Sequence, residues 1–234
     1  MTVVLILGSG PNVIDARDWD RAPFDRIVAI NNAWRVRSDW DDLIHPDDFP
    51  EDRWPENLEN GQRIIRAAEY VPHQNTFGGF VYAGGTMAFT ASYWALAALK
   101  PKTIAVMGCD MVYSNAAKTH FYGKGTADPL REDVTLRSLE AKSARLMALA
   151  AREGCAMVNL SQDDSRLVFP RATPDTVAEV APAPVDHTLM EAALQREAQL
   201  GYYVPSGKYW KEEARFATDV IDELDRLWLR TVRP

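Results

Sequence analysis

Cysteine is scarce in this sequence, since Cys109 and Cys155 are its only two. Two cysteines cannot build a disulfide framework, and these two lack the paired spacing of a zinc site. Positive charge is also in deficit, because 26 Lys and Arg residues face 33 Asp and Glu residues, a formal net charge of −7. Nucleic-acid backbones and anionic membrane surfaces attract basic proteins, so this balance argues against a general binder of either.

Long apolar runs are absent as well. The longest stretch, around Ala83 to Leu99, is interrupted by Gly, Thr and Ser and falls short of the roughly 18 residues of a membrane span. The run Val3 to Leu7 is too short for a signal-peptide core and follows no basic residue. We therefore expect no membrane span, no targeting segment and a cytoplasmic location.

Short apolar runs bounded by turn residues are typical of strands buried on both faces of a parallel sheet. Four such runs occur: Val3 to Leu7, Ile27 to Ile30, Ile104 to Met107 and Ala156 to Asn159. Residues 86–99 are apolar nearly all round and predict an interior helix. Helical spacing from Leu136 to Ala150 predicts another helix, which Gly154 would end. This alternation predicts an α/β fold with a doubly wound, mostly parallel, Rossmann-like sheet and a C-terminal helical extension.

The second part of the chain has a different composition. Residues Pro170 to Pro184 include four prolines and predict a linker or a wrapping arm. An apolar stripe from Trp210 to Trp228 predicts a helix that starts near Ser206-Gly207. Such a stripe is more typical of packing within one chain than of a dimer seam, although a homo-oligomer remains open. We divide the chain into a sheet domain at 1–165 and a Pro-rich arm with helices packed on it at 166–234.

The segment Gly8-Ser9-Gly10-Pro11-Asn12 directly follows the first predicted strand. Its glycines allow a sharp turn, and exposed N–H groups there can face an anion. The alternative is an ordinary strand-to-helix turn. The segment lacks the third glycine of the G-x-G-x-x-G motif, so it does not match the sequence fingerprint of nicotinamide-dinucleotide binding. It does not match the Walker A motif of nucleoside-triphosphate binding either.

Two further blocks stand where ligands bind in open α/β sheets. Asn31-Asn32 ends the second strand, and an amide that donates and accepts suits a base edge or ribose hydroxyls, although Asn also favours turns. Gly85-Thr86 opens the apolar helix, whose N-terminus attracts phosphate or carboxylate. A plain capping role is the more common one for Thr86.

Polar side chains also follow the third apolar run. Asp110 can bind a sugar hydroxyl, orient a partner or help hold a metal, or it can be structural. The segment that contains His120, Tyr122 and Lys124 is a long connection, which is more often functional than idle. His120 suits general acid or base catalysis, and Lys124 could neutralise a leaving phosphate; a surface role for His120 is the alternative.

These blocks, in this order, resemble the bacterial sialyltransferases of glycosyltransferase family 42. The relatives of that family include proteins described as similar to 6-hydroxymethylpterin pyrophosphokinase. The matching residues are Gly8-Ser9-Gly10-Pro11-Asn12, Asn31, Gly85-Thr86, Gly108-Cys109-Asp110 with Tyr113 nearby, and His120-Phe121-Tyr122-Gly123. The resemblance covers about Val3 to Ser161 and leaves out the tail.

The resemblance implies a nucleotide-sugar site, with a cytidine monophosphate (CMP) sugar as co-substrate and no tightly bound cofactor or metal. The Gly8 loop would face the phosphate, Asn31 and Thr86 would contact nucleotide or phosphate, and Asp110 would bind the donor. The remaining implied binding residues are Ser9, Gly10, Asn32, Gly85, Tyr113 and Tyr122. Catalysis would fall to His120, Lys124 and Asp110.

One position departs from the family pattern. The His that serves as the family's general base falls at Lys124, and a charged lysine cannot accept a proton. His120 or His45 would have to replace it. The first hypothesis is thus an inverting glycosyltransferase acting on a glycan or a small hydroxyl acceptor.

Two other functions remain open. Magnesium-dependent diphosphate transfer would need carboxylates such as Asp110 with Asp39–Asp42 or Asp47–Asp48, although we favour solvated acidic loops for those runs. A non-catalytic nucleotide- or glycan-binding protein is the third hypothesis.

Overall fold

Six parallel strands form the central sheet of the computed structural model, which describes residues 2–113, 119–123 and 131–232. The strands are β1 (Val3–Leu7), β2 (Arg26–Ile30), β3 (Asp42–Ile44), β4 (Arg63–Ile65), β5 (Thr103–Met107) and β6 (Ala156–Asn159). Their order across the sheet is β4-β3-β2-β1-β5-β6, and every neighbouring pair is parallel. The chain therefore runs outward from β1 to β4, then returns to the other side of β1 for β5 and β6.

Six α-helices accompany these strands in the described ranges. They are α1 (Ala67–Asn75), α2 (Phe80–Ala83), α3 (Met87–Leu99), α4 (Leu139–Arg152), α5 (His187–Leu200) and α6 (Thr218–Leu229). None of the helices in those ranges has both the length and the apolar character that crossing a bilayer requires.

Alternating side chains of each strand enter two different cores, because successive residues of a strand point to opposite faces. Val4 and Ile6 of β1 pack with α3 and α4 on one face. Val3, Leu5 and Leu7 pack on the other face with a 3₁₀ helix, Pro11–Asp18, and with residues of the Pro-rich arm. Both faces are covered, so the predicted doubly wound α/β fold is confirmed.

The predicted strands β1, β2, β5 and β6 and the interior helix are confirmed. Helix α4 begins at Leu139 rather than near Leu136, because Ser138 caps it by accepting a hydrogen bond from the backbone of Ala141. Gly154 follows its end with a φ of +73°, the left-handed conformation that favours glycine. The three-residue strands β3 and β4 were not expected, since runs this short carry no periodicity.

The acidic run Asp39–Asp42 is not a solvated loop. Asp42 lies in β3 with no exposed surface, and its carboxylate binds Arg26 at 2.7 Å and Arg63 at 2.5 Å. Asp39 and Asp41 also pair with arginines, Arg37 and Arg21. The prediction of a solvated loop is wrong here because these carboxylates form ion pairs with arginines at the edge of the sheet. The same ion pairs make the carboxylates poor candidates for magnesium ligands.

The Pro-rich segment wraps against the sheet. Its residues Ala172 and Val177 are buried in the second core, and Arg171 forms a β-bridge with Asn159 at the end of β6. Of the two structures considered for this segment, a linker and a wrapping arm, the arm is therefore the one observed.

The predicted helix from Ser206-Gly207 to Trp228 is wrong in its first half. Residues 209–215 form two short 3₁₀ helices, and α6 begins only at Thr218. Trp210 is 56% exposed, whereas Ile221 and Trp228 are buried. The helix is interrupted because the side chains of Tyr209 and Phe216 pack into a separate apolar cluster with Val81 and Val204, and Phe216 has an extended backbone.

Candidate functional site

A cleft of about 590 Å³ opens at the carboxyl ends of the strands, beside β1, where the strand order reverses between β2 and β5. Open α/β sheets bind ligands at this point of reversed strand order. Most of the predicted site residues line the cleft: Gly8, Ser9, Gly10, Asn31, Asn32, Thr86, Asp110, Tyr113, His120 and Tyr122. Gly85 does not line it, and Lys124 lies outside the described residues.

The glycines after β1 permit a close approach to the loop after β5. The N–H groups of Gly8 and Gly10 donate to the carbonyl oxygens of Met107 and Gly108, both at 2.8 Å. A Cβ on Gly8 would overlap the Gly108 carbonyl oxygen, and one on Gly10 would lie 2.8 Å from it. The expectation that these two N–H groups face an anion is therefore wrong, since the neighbouring loop already accepts their hydrogen bonds.

Asp110 is buried at the floor of the cleft and is held by two asparagine amides. Asn159 Nδ2 donates to Asp110 Oδ1 at 2.7 Å, and Asn12 Nδ2 donates to Oδ2 at 2.8 Å. Arg171 Nη1 lies 3.9 Å from Oδ1. These contacts fix the orientation of the carboxylate.

Asn12 and Asn159 were not among the predicted site residues. The missed signal is positional, because Asn12 closes the glycine loop after β1 and Asn159 is the last residue of β6. Both therefore stand at the carboxyl edge of the sheet, as Asn31 does after β2. An asparagine at such a strand end is a candidate ligand or positioning residue for the same reason.

The paired amides after β2 combine backbone strain with unsatisfied hydrogen bonding. Asn31 adopts a φ of +52°, and Asn32 is 2% exposed. Within the described chain, neither Oδ1 atom has a hydrogen-bond partner. A buried acceptor without a partner costs about 1–3 kcal/mol, and such costs are concentrated at functional sites.

His120 is presented by a tight turn over residues 119–123. His120 and Gly123 exchange two backbone hydrogen bonds of 3.0 Å, and Phe121 N donates to the carbonyl oxygen of Ser9 at 3.0 Å. The His120 ring stacks on Tyr122 with centroids 5.0 Å apart, and its Nδ1 lies 2.9 Å from Thr119 Oγ1. The turn is thus attached to the Gly8 loop and holds a largely buried imidazole in the cleft wall.

His45, the other candidate base, is buried at the end of β3. Its Nδ1 lies 2.8 Å from the Pro46 carbonyl oxygen, which can only accept, so Nδ1 carries the proton and Nε2 a lone pair. Burial lowers the pKa of His45, which favours the neutral ring. With no exposed surface and no place in the cleft lining, the ring lacks access to a substrate in this conformation.

Helix α3 points its N-terminus into the cleft. Thr86 Oγ1 accepts a hydrogen bond from Phe89 N, so Thr86 is the N-cap of α3, and the first-turn residues Met87 and Ala88 also line the cleft. The free N–H groups of a first helical turn carry partial positive charge. This end of the helix is therefore the cleft wall best suited to a phosphate.

Gly85 supports α3 from behind the cleft. Its N–H donates to Thr135 Oγ1 at 2.9 Å, and its carbonyl oxygen accepts from Arg131 at 3.1 Å. A Cβ here would overlap the Tyr209 hydroxyl oxygen. We therefore correct its predicted role from a ligand contact to a structural one, since its backbone groups are taken up by a polar cluster.

The described lining residues carry more acids than bases. Four carboxylates, of Asp48, Asp110, Asp163 and Asp164, accompany one guanidinium, of Arg53. In the described ranges, no three or more His, Cys, Asp or Glu side chains are grouped so that they could hold a metal ion.

Comparison of the chain with protein-family models, curated protein sequences and solved structures gives no match. The motif resemblance to family 42 therefore remains a hypothesis. The geometry of the cleft has to support any functional proposal.

Proposed function

We propose that this protein is a glycosyltransferase that uses a nucleotide sugar of the CMP type, with a glycan or small-molecule hydroxyl as acceptor. The observation that supports this proposal is the convergence of three features on one cleft. They are the asparagine pair Asn31-Asn32, the N-terminus of α3 and the imidazole of His120. These features supply, in that order, groups for a nucleoside or sugar, for a phosphate and for proton transfer.

In the proposed reaction, an acceptor hydroxyl attacks the anomeric carbon and His120 takes its proton. The new bond joins the acceptor oxygen to that carbon, and the bond from the carbon to the phosphate oxygen breaks. The electron pair leaves with the nucleotide phosphate, whose charge the first-turn N–H groups of Met87 and Ala88 stabilise. Attack opposite the leaving phosphate inverts the anomeric centre. Asp110, held by its two asparagines, orients the donor.

Nucleotide binding tests the first part of this proposal. CMP should raise the melting temperature, because a ligand present at 100 times its Kd stabilises the native state by about 2.7 kcal/mol. Adenosine and guanosine monophosphates serve as comparisons. The absence of a shift with every nucleotide would contradict the proposal.

Turnover tests the second part. His120→Ala should retain CMP binding and lose transfer of the sugar, by a factor of about 10²–10⁴ for a general base. His187→Ala, an exposed histidine at the start of α5, is the matched control. A His120→Ala variant with undiminished turnover would exclude His120 as the base, and binding without any turnover by the unsubstituted protein would favour the non-catalytic hypothesis.

Magnesium-dependent diphosphate transfer is the second candidate. The carboxylates of the cleft lining support it only together with a bound triphosphate, because magnesium is held by carboxylates and phosphates, and the described side chains alone do not group three potential ligands. Triphosphate binding that disappears with a chelator would support this candidate. CMP binding that is unaffected by a chelator would support the first.

A further inference from the structure

The imidazole of His120 is held by contacts in two directions. Across its face it stacks on Tyr122, with ring centroids 5.0 Å apart and an angle of 26° between the two planes. At its edge, Nδ1 lies 2.9 Å from Thr119 Oγ1. Stacking alone would allow the ring to turn over, which exchanges a nitrogen and a carbon at that edge. The hydrogen bond selects one orientation, because a ring carbon cannot replace Nδ1 as the partner of a hydroxyl.

The Thr119 hydroxyl has two possible roles toward this ring, and their consequences are opposite. A hydroxyl both donates and accepts, whereas a neutral imidazole has one N–H group and one lone pair. If Oγ1 donated to Nδ1, that bond would occupy the only lone pair of the ring, and His120 could not accept a proton without breaking it. If Oγ1 accepts from Nδ1, the lone pair is on Nε2. Protonation of Nε2 then leaves the bond to Oγ1 in place, since both nitrogens of an imidazolium donate.

We infer that Thr119 is a positioning residue whose Oγ1 accepts the Nδ1 proton of His120, so that Nε2 is the atom that takes the proton of the acceptor hydroxyl. This inference rests on the proposed function, in which His120 is the general base. During the reaction, the proton moves from the acceptor oxygen to Nε2 and the ring becomes an imidazolium ion. Thr119 Oγ1 and the ring face of Tyr122 both stabilise that positive charge.

The tautomer of His120 can be measured without any substrate. Proton–nitrogen correlation spectra of the full chain with isotope-labelled histidine distinguish the Nδ1–H form from the Nε2–H form of each ring. At about pH 8, an ordinary histidine with a pKa near 6.5 is neutral. The signals of His120 are those missing from the spectrum of His120→Ala. We expect the Nδ1–H form, and the Nε2–H form would overturn the inference.

Turnover tests whether the hydroxyl acts on the reaction. Thr119→Val keeps a branched side chain and removes the hydroxyl, so kcat should fall about tenfold, the equivalent of one hydrogen bond, while KM for the donor changes by less than about twofold. Thr119→Ser restores the hydroxyl and should keep kcat within about threefold of the unsubstituted value. The matched control is Thr188→Val, at an exposed threonine of α5, which should leave kcat unchanged.

The His120→Ala background separates positioning of the base from a general effect on the fold. Thr119→Val added to His120→Ala should lower the residual kcat no further, because no imidazole is left to orient. An equal loss in both backgrounds, or a Thr119→Ser variant as slow as Thr119→Val, would overturn the inference and leave the proposed function intact. If the unsubstituted protein transfers no sugar from any nucleotide sugar, the proposed function is contradicted, and the role of Thr119 falls with it.

Discussion

Arg145 on α4 binds both carboxylate oxygens of Glu197 on α5, through Nε and Nη2 at 2.7 Å each. The same guanidinium donates to the Tyr93 hydroxyl at 2.8 Å, and Trp228 Nε1 donates to Glu197 at 2.7 Å. Although burial alone would lower the pKa of Arg145, the Glu197 carboxylate raises it overall. This buried pair joins the C-terminal helices α5 and α6 to the sheet domain.

Removal of Glu197 should destabilise the fold. Glu197→Ala leaves the buried guanidinium without its counter-charge, and such a change costs about 3–5 kcal/mol. Urea unfolding followed by circular dichroism measures the loss. The control Glu191→Ala removes an exposed carboxylate from the same helix and should change the free energy of unfolding by less than about 0.5 kcal/mol. Equal stabilities of the two variants would refute this role for the pair.

Tyr209→Phe should weaken ligand binding in the cleft from a distance. The Tyr209 hydroxyl donates to Asp133 at 2.7 Å and accepts from Arg131 at 2.9 Å, and these groups hold the backbone of Gly85 directly before α3. We expect a loss of about 1–3 kcal/mol in stability and weaker nucleotide binding, because the α3 N-terminus is less firmly placed. Tyr203→Phe, at an exposed tyrosine, is the control. Unchanged nucleotide affinity in Tyr209→Phe would show that this polar cluster does not influence binding in the cleft.

The stabilising effect of Asp133 should depend on pH. Although burial acts to raise the pKa of Asp133, hydrogen bonds from Thr135 and Tyr209 outweigh it and hold the pKa below its usual value. A depressed carboxylate pKa stabilises the native state above the unfolded pKa, near 3.9, and this stabilisation is lost as the pH falls through the native pKa.

Unfolding measurements at several pH values check whether Asp133 stabilises the fold more at neutral pH than at acidic pH. The stability difference between the unsubstituted protein and Asp133→Asn should be largest near pH 7 and shrink as the pH falls through about 4 and below. Asp175→Asn, at an exposed position, accounts for general effects of charge removal. A stability difference that grows as the pH is lowered would contradict a lowered pKa for Asp133.

Gly8→Ala should disrupt the cleft floor. The added Cβ would overlap the Gly108 carbonyl oxygen, which is backbone and cannot rotate away. Overpacking of this kind costs about 1–3 kcal/mol, and more where backbone must shift. The melting temperature and nucleotide affinity should fall together, whereas Ser9→Ala in the same loop adds no atom and should fold normally. A stable, fully binding Gly8→Ala protein would show that the two loops can separate.

Local patterns were enough to predict the main strands and the edge of the sheet at which the cleft lies. The apolar runs of β1, β2, β5 and β6 are continuous, so the sequence alone indicates buried parallel strands. Because the carboxyl ends of such strands share one edge, motifs as distant as Gly8 and Asp110 could be placed in one cleft. The short strands β3 and β4 escaped prediction because Asp42 and Arg63 are stabilised there by pairing with each other rather than by apolar periodicity.

What the sequence by itself determined is thus the α/β class, the four longer parallel strands and the edge of the sheet at which the cleft opens. Only the tertiary structure decided how the polar groups at that edge are used. In the folded chain, the Gly8 N–H donates a hydrogen bond to the Met107 carbonyl oxygen, and Gly85 lies behind the cleft. Asn12 donates a hydrogen bond to Asp110, 98 residues away. The physical reason is that a buried polar group is stabilised by whichever partner the fold brings within hydrogen-bond distance, and local sequence patterns carry no information about that partner.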